Sequence, residues 1–305
     1  MAMSLSASAF GGKLMFQIKK ILFPVDFSEP CLGTSRYVEA FAGRFQSEIT
    51  LLHVVDIGAY RVWGTSALWG LPAIDMSREG ANWAREKMSH FLIEEFKHFD
   101  VKRQVMEGDL GLQIIATARQ LGSDLIMMPT HGLSAFRRFV LGSITAKVLH
   151  DAECAVWTGV HLEDAPALEA IAFPKVMCAV DMGSQSENAL RWAAGFAKEH
   201  SAELIVAHVV AAWDSGPAKY LDHRFVLEVS AEVRAELGSL LEKLGIVARI
   251  IVRGGEPAKT VSEIAQSENV SQLVIARGAV AETLGRLRSN AYAIIRSAPC
   301  PVVSV

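Results

Sequence analysis

The chain has 305 residues, 51% of them hydrophobic and 21% charged, a balance that supplies cores for two domains of about 150 residues and excludes a disordered or collagen-like polymer. With 30 Lys+Arg against 33 Asp+Glu the formal charge is -3, so no global positive field gathers nucleic-acid phosphates or anionic lipid. No apolar run approaches the roughly 18 to 20 residues that span a bilayer, and neither nucleic acid nor membrane is expected as a partner. The opening MAMSLSASAFGGKLMF lacks a basic stretch ahead of its weakly apolar part and reads as a flexible tail rather than a secretory leader, which predicts a cytoplasmic protein. Cys31, Cys154, Cys178 and Cys300 lie far apart without a CxxC pair, as buried reduced thiols do and disulfide or zinc frameworks do not.

In chain order, the apolar run 21–25 in KKILFPVDFSEP closes on Asp26 and reads as a parallel strand covered on both faces. Val38, Phe41, Ala42 and Phe45 then form a helical stripe. The strand at 49–55 carries His53, expected as a hydrogen-bonded core histidine. Residues 59–80 mix Gly, Pro and Trp and are expected as an irregular connection with a helical turn, a lid or a packing surface. Ala84, Met88, Phe91 and Leu92 make a second stripe, strands follow at 101–106 and 125–128, and Gly108 marks a tight turn. After PTHGLSAFRRFVLGSITAKVLHD (129–151) a fifth strand occupies 155–160. HLEDAPALEAIAFP, from His161 to Pro174, is acidic and proline-bounded, as a linker is.

The unit then returns. PKVMCAVDMGSQ repeats the first strand, Asp181 answers Asp26, and His208 follows Asp181 by the 27 residues that separate His53 from Asp26. Gly132 to Ser143 and Gly278 to Ser289 are both 11 residues, and AECAV at 152–156 matches APCPV at 298–302. The offset is 155 early and 146 late, so the first copy carries about nine extra residues, assigned to 59–80. Ala189, Trp192, Ala193, Phe196 and Ala197, then Val226, Val229, Val233, Leu237, Leu240 and Leu244, repeat the stripes. The expected organisation is a tail at 1–16, a domain at 17–161, a linker at 162–173 and a second domain at 174–305. Alternating strands and helices with right-handed crossovers make each domain a doubly wound α/β sheet, whose ligands bind beyond the strand ends where strand order reverses.

Gly142 and Ser143 open a helix, and a helix start offers unpaired N–H groups and partial positive charge to a phosphate, with the Ser143 and Thr145 hydroxyls as further donors. An ordinary helix start capped by Ser143 is the other reading. Asp26, at the end of the first strand, is suited to accept a hydrogen bond from the exocyclic amine of adenine, where guanine presents an oxygen. A solvated strand-end acid or a cap of the next helix is its alternative. The chain has no Ser/His/Asp order, HExxH, GxxxxGK[ST] or GxGxxG after a strand, so hydrolase, zincin, Walker-type ATPase and dehydrogenase readings lack their parts. Arg137, Arg138, Arg286 and Arg288 form a basic segment in each copy, read as solvated faces, with phosphate steering as the alternative.

The strand-end Asp, the Gly132 and Gly142-Ser143 spacing before a helix, and the terminal APCPV strand resemble the universal stress protein family over both copies. The resemblance implies a tandem member with two five-stranded parallel sheets of order 3-2-1-4-5, adenine nucleotide alpha hydrolase-like, that pair through the fifth strand. It implies an intramolecular pseudo-dimer of the two domains, a homodimer as a further assembly, and ATP, with Mg, as ligand. Pro24, Val25, Asp26 and Val54 would meet adenine; Met128, Thr130, His131 and Gly132 would border ribose and phosphate; Gly142, Ser143, Ile144 and Thr145 would hold the phosphates. Pro129 departs from the family's first Gly and has no N–H to donate. In the second copy Ile275 is matched to that Gly and Arg288 to the Gly before Ser289, so this half is expected to be degenerate and structural. The resemblance thus implies a nucleotide-dependent stress-response regulator with at most slow ATPase or autophosphorylation, the alternative being an interaction scaffold without nucleotide.

Overall fold

The computed structural model describes residues 16–56, 73–130, 141–160, 162–210, 223–277 and 286–305. The first half runs β1 (Lys20–Pro24), α1 (Glu29–Phe45), β2 (Glu48–Val55), α2 (Ala73–His90), β3 (Val101–Glu107), α3 (Leu110–Leu121), β4 (Leu125–Pro129), α4 (Ser143–Asp151) and β5 (Ala155–Gly159). The second repeats it as β6 (Lys175–Ala179), α5 (Ser186–Glu199), β7 (Glu203–Val210), α6 (His223–Leu244), β8 (Arg249–Gly254), α7 (Pro257–Ser267), β9 (Gln272–Ile275), α8 (Arg286–Ser297) and β10 (Val302–Ser304). Among the described residues no helix is long and apolar enough to cross a membrane.

Each half has the expected order, 3-2-1-4-5, with parallel neighbours throughout. The two sheets are continuous: β5 pairs antiparallel with β10, giving one ten-stranded sheet, β3-β2-β1-β4-β5-β10-β9-β6-β7-β8. Because successive side chains alternate faces, Ile21 and Phe23 enter one apolar layer with Val38, Phe41 and Met88, and Leu22 enters the other with Ile114, Ile126 and Val148. Both layers run on into the second half, through Phe196 and Leu237 on one face and Ile205 and Ile295 on the other.

The repeat extends to the backbone. Phe27 and Met182, the residues after the two strand-end aspartates, have φ of 62° and 63°, and Gly108 and Gly255 both have φ of 144°. At Gly108 the conformation suits glycine alone, and its N–H closes the turn on the Val55 carbonyl at 3.0 Å.

Three expectations change. Residues 73–80 belong to α2 rather than to an irregular connection, because beyond Pro72 nothing in the segment breaks a helix, and Gly80 inside it costs only about 1 kcal/mol; 59–72 lie outside the described residues. Phe16, assigned to the tail, packs edge-on against Phe45 and Trp192 at 5.7 and 5.3 Å and lies against Gly195, where a Cβ would fall 2.4 Å from the ring. The linker is docked as a strap along the first half. Its two 3-10 turns, Leu162–Asp164 and Leu168–Ala170, lie along α1, with Leu162 buried and its carbonyl so close to Gly33 that no Cβ fits there. The Arg36 guanidinium holds the carbonyls of Ala165 and Pro166.

Contacts across the β5–β10 seam are specific. The buried Trp157 Nε1 donates to Gln272 Oε1 at 3.1 Å, while Gln272 Nε2 donates to the carbonyls of Leu273 and Pro301 at 3.0 and 2.9 Å. The half-buried Arg277 donates to the carbonyls of Ala152 and Cys154 at 2.8 and 2.5 Å. Tyr292, on α8, donates to the Ala146 carbonyl on α4 at 3.1 Å.

Behind the seam, Phe41, Phe45, Phe173, Trp192 and Phe196 bring α1 and α5 together, and the His200 ring lies 4.3 Å from Phe196 and 4.9 Å from Phe173. Burial, helped by the charge of Arg44, lowers the His200 pKa to about 4, and its buried Nε2 has no hydrogen-bond partner. The unfolded chain titrates this imidazole near 6.5, so between pH 6.5 and 4 the unfolded state binds more protons and stability falls as the pH falls. A His200→Phe variant is expected to show a smaller drop in Tm between pH 7 and pH 4.5 than the parent; parallel Tm profiles across that range would refute the assignment.

Candidate functional site

The strand order of the first half reverses between β1 and β4, and a cavity of about 230 Å³ opens there beyond their carboxyl ends. The parallel register places Pro24, Val25 and Asp26 on one side, Met128 and Pro129 on the other, and Leu52, His53 and Val54 of β2 beside them. Leu110 and Ile114 of α3 and residues 142–145 at the head of α4 complete the wall. Of the sequence-derived candidates, Pro24, Val25, Asp26, Val54, Met128, Gly142, Ser143, Ile144 and Thr145 are brought together; His131 and Gly132 lie outside the described residues.

Asp26 is held by its own loop. Its Oδ1 accepts from the Ser28 N–H at 3.0 Å, the Ser28 hydroxyl at 2.5 Å and the Cys31 thiol at 3.0 Å. Asp26 does not cap α1, whose cap position is Ser28 without a side-chain cap bond; it closes an Asx turn just ahead of the helix, which fixes the carboxylate at the cavity edge. Immediately before it, the Val25 carbonyl accepts from His53 Nδ1 at 2.8 Å. His53 is therefore both the expected bonded strand histidine and part of the cavity wall. Burial lowers its pKa, against the bond to Val25 and the charge of Asp26, which raise it. Outside the wall, Phe27 covers the His53 ring at 4.6 Å, Trp83 meets Phe27 edge-on at 5.8 Å, and the Lys87 ammonium sits 4.7 and 4.8 Å from the two ring centres.

At the opposite end α4 starts from Gly142, which is extended at φ -60° and ψ 145° and makes no side-chain cap. Its N–H is anchored on the Thr130 carbonyl at 2.9 Å and its carbonyl takes the first helical bond, from Ala146, at 2.8 Å. The amides of Ser143, Ile144 and Thr145 therefore have no acceptor within the helix, and they head a dipole whose positive end faces the cavity. Two expected contributions change. The Thr145 hydroxyl, buried, donates to the Pro129 and Thr130 carbonyls at 3.3 Å, so its hydrogen points at the strand end rather than at a ligand. Thr130, also buried, donates its hydroxyl to Gly159 and stands outside the cavity wall. Pro129 is a buried end of β4 in register with Gly159.

The second half has a matching cavity of about 280 Å³, lined by Asp181, His208, Ile275, Ala276, Asn290 and Ala291 among others. Asp181 Oδ1 accepts from the Gly183 N–H at 2.9 Å and the Ser186 hydroxyl at 3.2 Å, and His208 Nδ1 donates to the Val180 carbonyl at 2.9 Å. Strand register corrects one match. Leu22 pairs with Ile126 and its repeat Met177 with Leu273, so Ile275 corresponds to Met128, and Ala276 stands where the first half has Pro129. Further on, α8 begins at Arg286, three residues ahead of Ser289, the repeat of Ser143. Gly278 lies outside the described residues, as do Arg137, Arg138 and the side chains of Arg286, Arg288 and Ser289.

The cavity residues not read from the sequence as part of a site are Cys31, Leu52, His53, Leu110, Ile114 and, as wall rather than departure, Pro129. Cys31 had a signal: it follows Asp26 by five residues, as Ser186 follows Asp181, and both donate to the carboxylate.

Two doubly wound halves, each with a crevice at the strand-order reversal, make a tandem α/β protein with one candidate site in each half. The family model described as Universal stress protein family matches residues 17–158 and again 172–305, and the chain belongs to that family. Universal stress protein MJ0577 of Methanocaldococcus jannaschii is 32% identical over 142 residues, which cover 43% of this chain and 88% of that protein. Universal stress protein MJ0531 of the same organism is 28% identical over 138 residues, 45% of this chain and 79% of the relative. A crystal structure of a universal stress protein from Archaeoglobus fulgidus aligns with 96% of this chain and 97% of its own, with TM-score 0.64 and 23% identity, so the tandem fold as a whole is shared.

All four cysteines are free, and burial raises every thiol: Cys154 to about 11, Cys31 to about 12 with Asp26 adding to it, Cys300 to about 12, and Cys178 further still. Iodoacetamide at pH 8 is expected to leave the folded chain unmodified over minutes and to label four sites in denaturant, as read by intact mass. Rapid labelling of Cys31 in the native protein would overturn the packing described around Asp26.

Proposed function

We propose that the first half binds ATP and that the protein acts as a nucleotide-dependent regulator rather than a dedicated enzyme. The observation that carries this reading is the pairing, across one cavity, of a clamped carboxylate with a helix start whose cap is a glycine. A carboxylate accepts from the exocyclic amine of adenine and repels the oxygen of guanine. Free amides at a helix start suit phosphate, and Gly142 lets the phosphate reach the main chain. Leu52, Val54, Ile114 and Met128 supply apolar faces between these ends for the base. Thr130, His131 and Gly132 remain assigned to the ribose and phosphate border by the family pattern, with Thr130 acting through its carbonyl on Gly142.

Among the described residues no group of three or more His, Cys, Asp or Glu is placed to hold a metal, so Mg would arrive on the phosphates with its own waters. Bound ATP favours whichever conformation or assembly holds it more tightly, which is regulation through linked stability. Support for a non-catalytic role comes from His53 and Asp26, whose hydrogen bonds to the Val25 carbonyl and within the Asp26 loop are structural ones. We place the boundary between the halves at 162–173 and regard them as a pseudo-dimer within one chain, a reading supported by the β5–β10 pairing. Free thiols accord with a cytoplasmic location. Pro129, which removes one donor from the phosphate end, is the observation that favours the alternative, an interaction scaffold without nucleotide.

Titration of nucleotide-stripped protein decides between them. ATP is expected to bind and raise Tm, GTP to bind at least tenfold more weakly, and Gly142→Arg to abolish the ATP effect. No Tm rise at millimolar ATP would establish the scaffold reading instead.

A further inference from the structure

We propose that the second half serves the first as a positioning element: Arg277 and Tyr292 grip α4 from across the seam and hold its free amides at the cavity. The proposal rests on the nucleotide reading of the first cavity, whose phosphate end those amides form.

α4 needs such a hold. It has nine residues, below the roughly 12 to 15 at which an isolated helix becomes stable in water, so its place is fixed by what it packs against. Its own half anchors the head, through the Gly142 N–H and the Thr145 hydroxyl on carbonyls at the end of β4. On the flank the first half supplies Lys147, whose ammonium lies 3.4 Å from Asp109 at the start of α3, an exposed ion pair of the kind that contributes little.

The rest of the hold comes from the second half. The Arg277 guanidinium donates to the carbonyls of Ala152, the cap residue at the C-terminal end of α4, and of Cys154, the residue before β5. It thereby pins the link between helix and strand at two points and sets a positive charge at the negative pole of the α4 dipole. Arg277 is itself placed by the sheet: its N–H donates to the Val305 carbonyl at 2.8 Å, and the Val305 N–H to the Ile275 carbonyl at 3.0 Å. Nearer the head, the Tyr292 hydroxyl holds the Ala146 carbonyl, and the N–H of that same residue makes the first helical bond of α4, to Gly142.

The arrangement runs one way. Tyr292 is the repeat of Ala146, so α4 and α8 meet at equivalent residues, of which only the tyrosine carries a hydroxyl. Arg277 is by register the repeat of Thr130, whose hydroxyl donates to Gly159 of its own half. At both positions the long polar side chain stands in the second half and reaches toward α4. A helix that shifts by a fraction of an ångström misplaces its amides against a phosphate, while the base end of the cavity, built on β1 and β2, stays where it was.

Isothermal titration of the full chain with ATP and with adenosine tests this, since only ATP reaches the α4 amides. Arg277→Met is expected to weaken ATP about tenfold and Tyr292→Phe about threefold, with adenosine affinity unchanged in both. Arg277→Lys, which keeps the charge but not the fork of donors, should recover part of the ATP affinity lost in Arg277→Met. Tyr292→Phe removes a single oxygen and carries the test if Arg277→Met fails to fold. ATP affinity unchanged in the variants, or ATP and adenosine weakened alike, would overturn the proposal and leave the nucleotide reading in place. A parent chain that takes no ATP would overturn that reading and the proposal with it.

Discussion

An unpaired strand edge is a hazard, and each half of this chain has one at its fifth strand. Main-chain hydrogen bonds between Val302–Ser304 and their antiparallel partners at 156–158 cover both edges at once. Everything else in the molecule is arranged about that junction. The apolar layers pass through it without a break, and Arg277 and Tyr292 reach over it to main-chain carbonyls of the first half. Tyr292 binds the carbonyl of Ala146, one residue past the amides at the head of α4, and its own helix lines the other cavity. The two crevices are therefore framed by helices that touch.

Duplication has conserved geometry more strictly than residue type. Cys31 and Ser186 do the same work with different atoms, and Phe27 and Met182 accept the same strained conformation with unrelated side chains. Where the halves diverge, the side chains lining the crevices differ: Ala179, Ala207 and Ala291 stand where the first half has Pro24, Leu52 and Thr145. The chemistry of such a crevice is set by where a helix begins as much as by the side chains around it.

The architecture was legible because its signals are local and repeated: short apolar runs ending in Asp, helical stripes, and a duplicated register. Asp26, Gly142 and their neighbours could be placed together because doubly wound sheets put ligands at one position. Less was legible where an outcome depends on distant partners. The Thr145 hydroxyl looked available until the fold set two carbonyls beside it. Ile275 was matched to Pro129 by counting back from Gly278, but hydrogen-bond register between strands, which counting does not see, moves it by one. That the linker docks was not legible, because acidic, proline-bounded composition says nothing about Gly33, whose missing side chain admits the Leu162 carbonyl. Cys31 was read as inert filling, since only the turn after Asp26 brings its sulfur to the carboxylate.

The junction is also asymmetric. Gln272 accepts the Trp157 indole N–H, and the equivalent place in the first half, by register, is Leu125, which has nothing to offer it. Two first halves meeting through their fifth strands would each bury an orphaned indole. Across this seam Trp157 thus tells a second half from another first half through one glutamine.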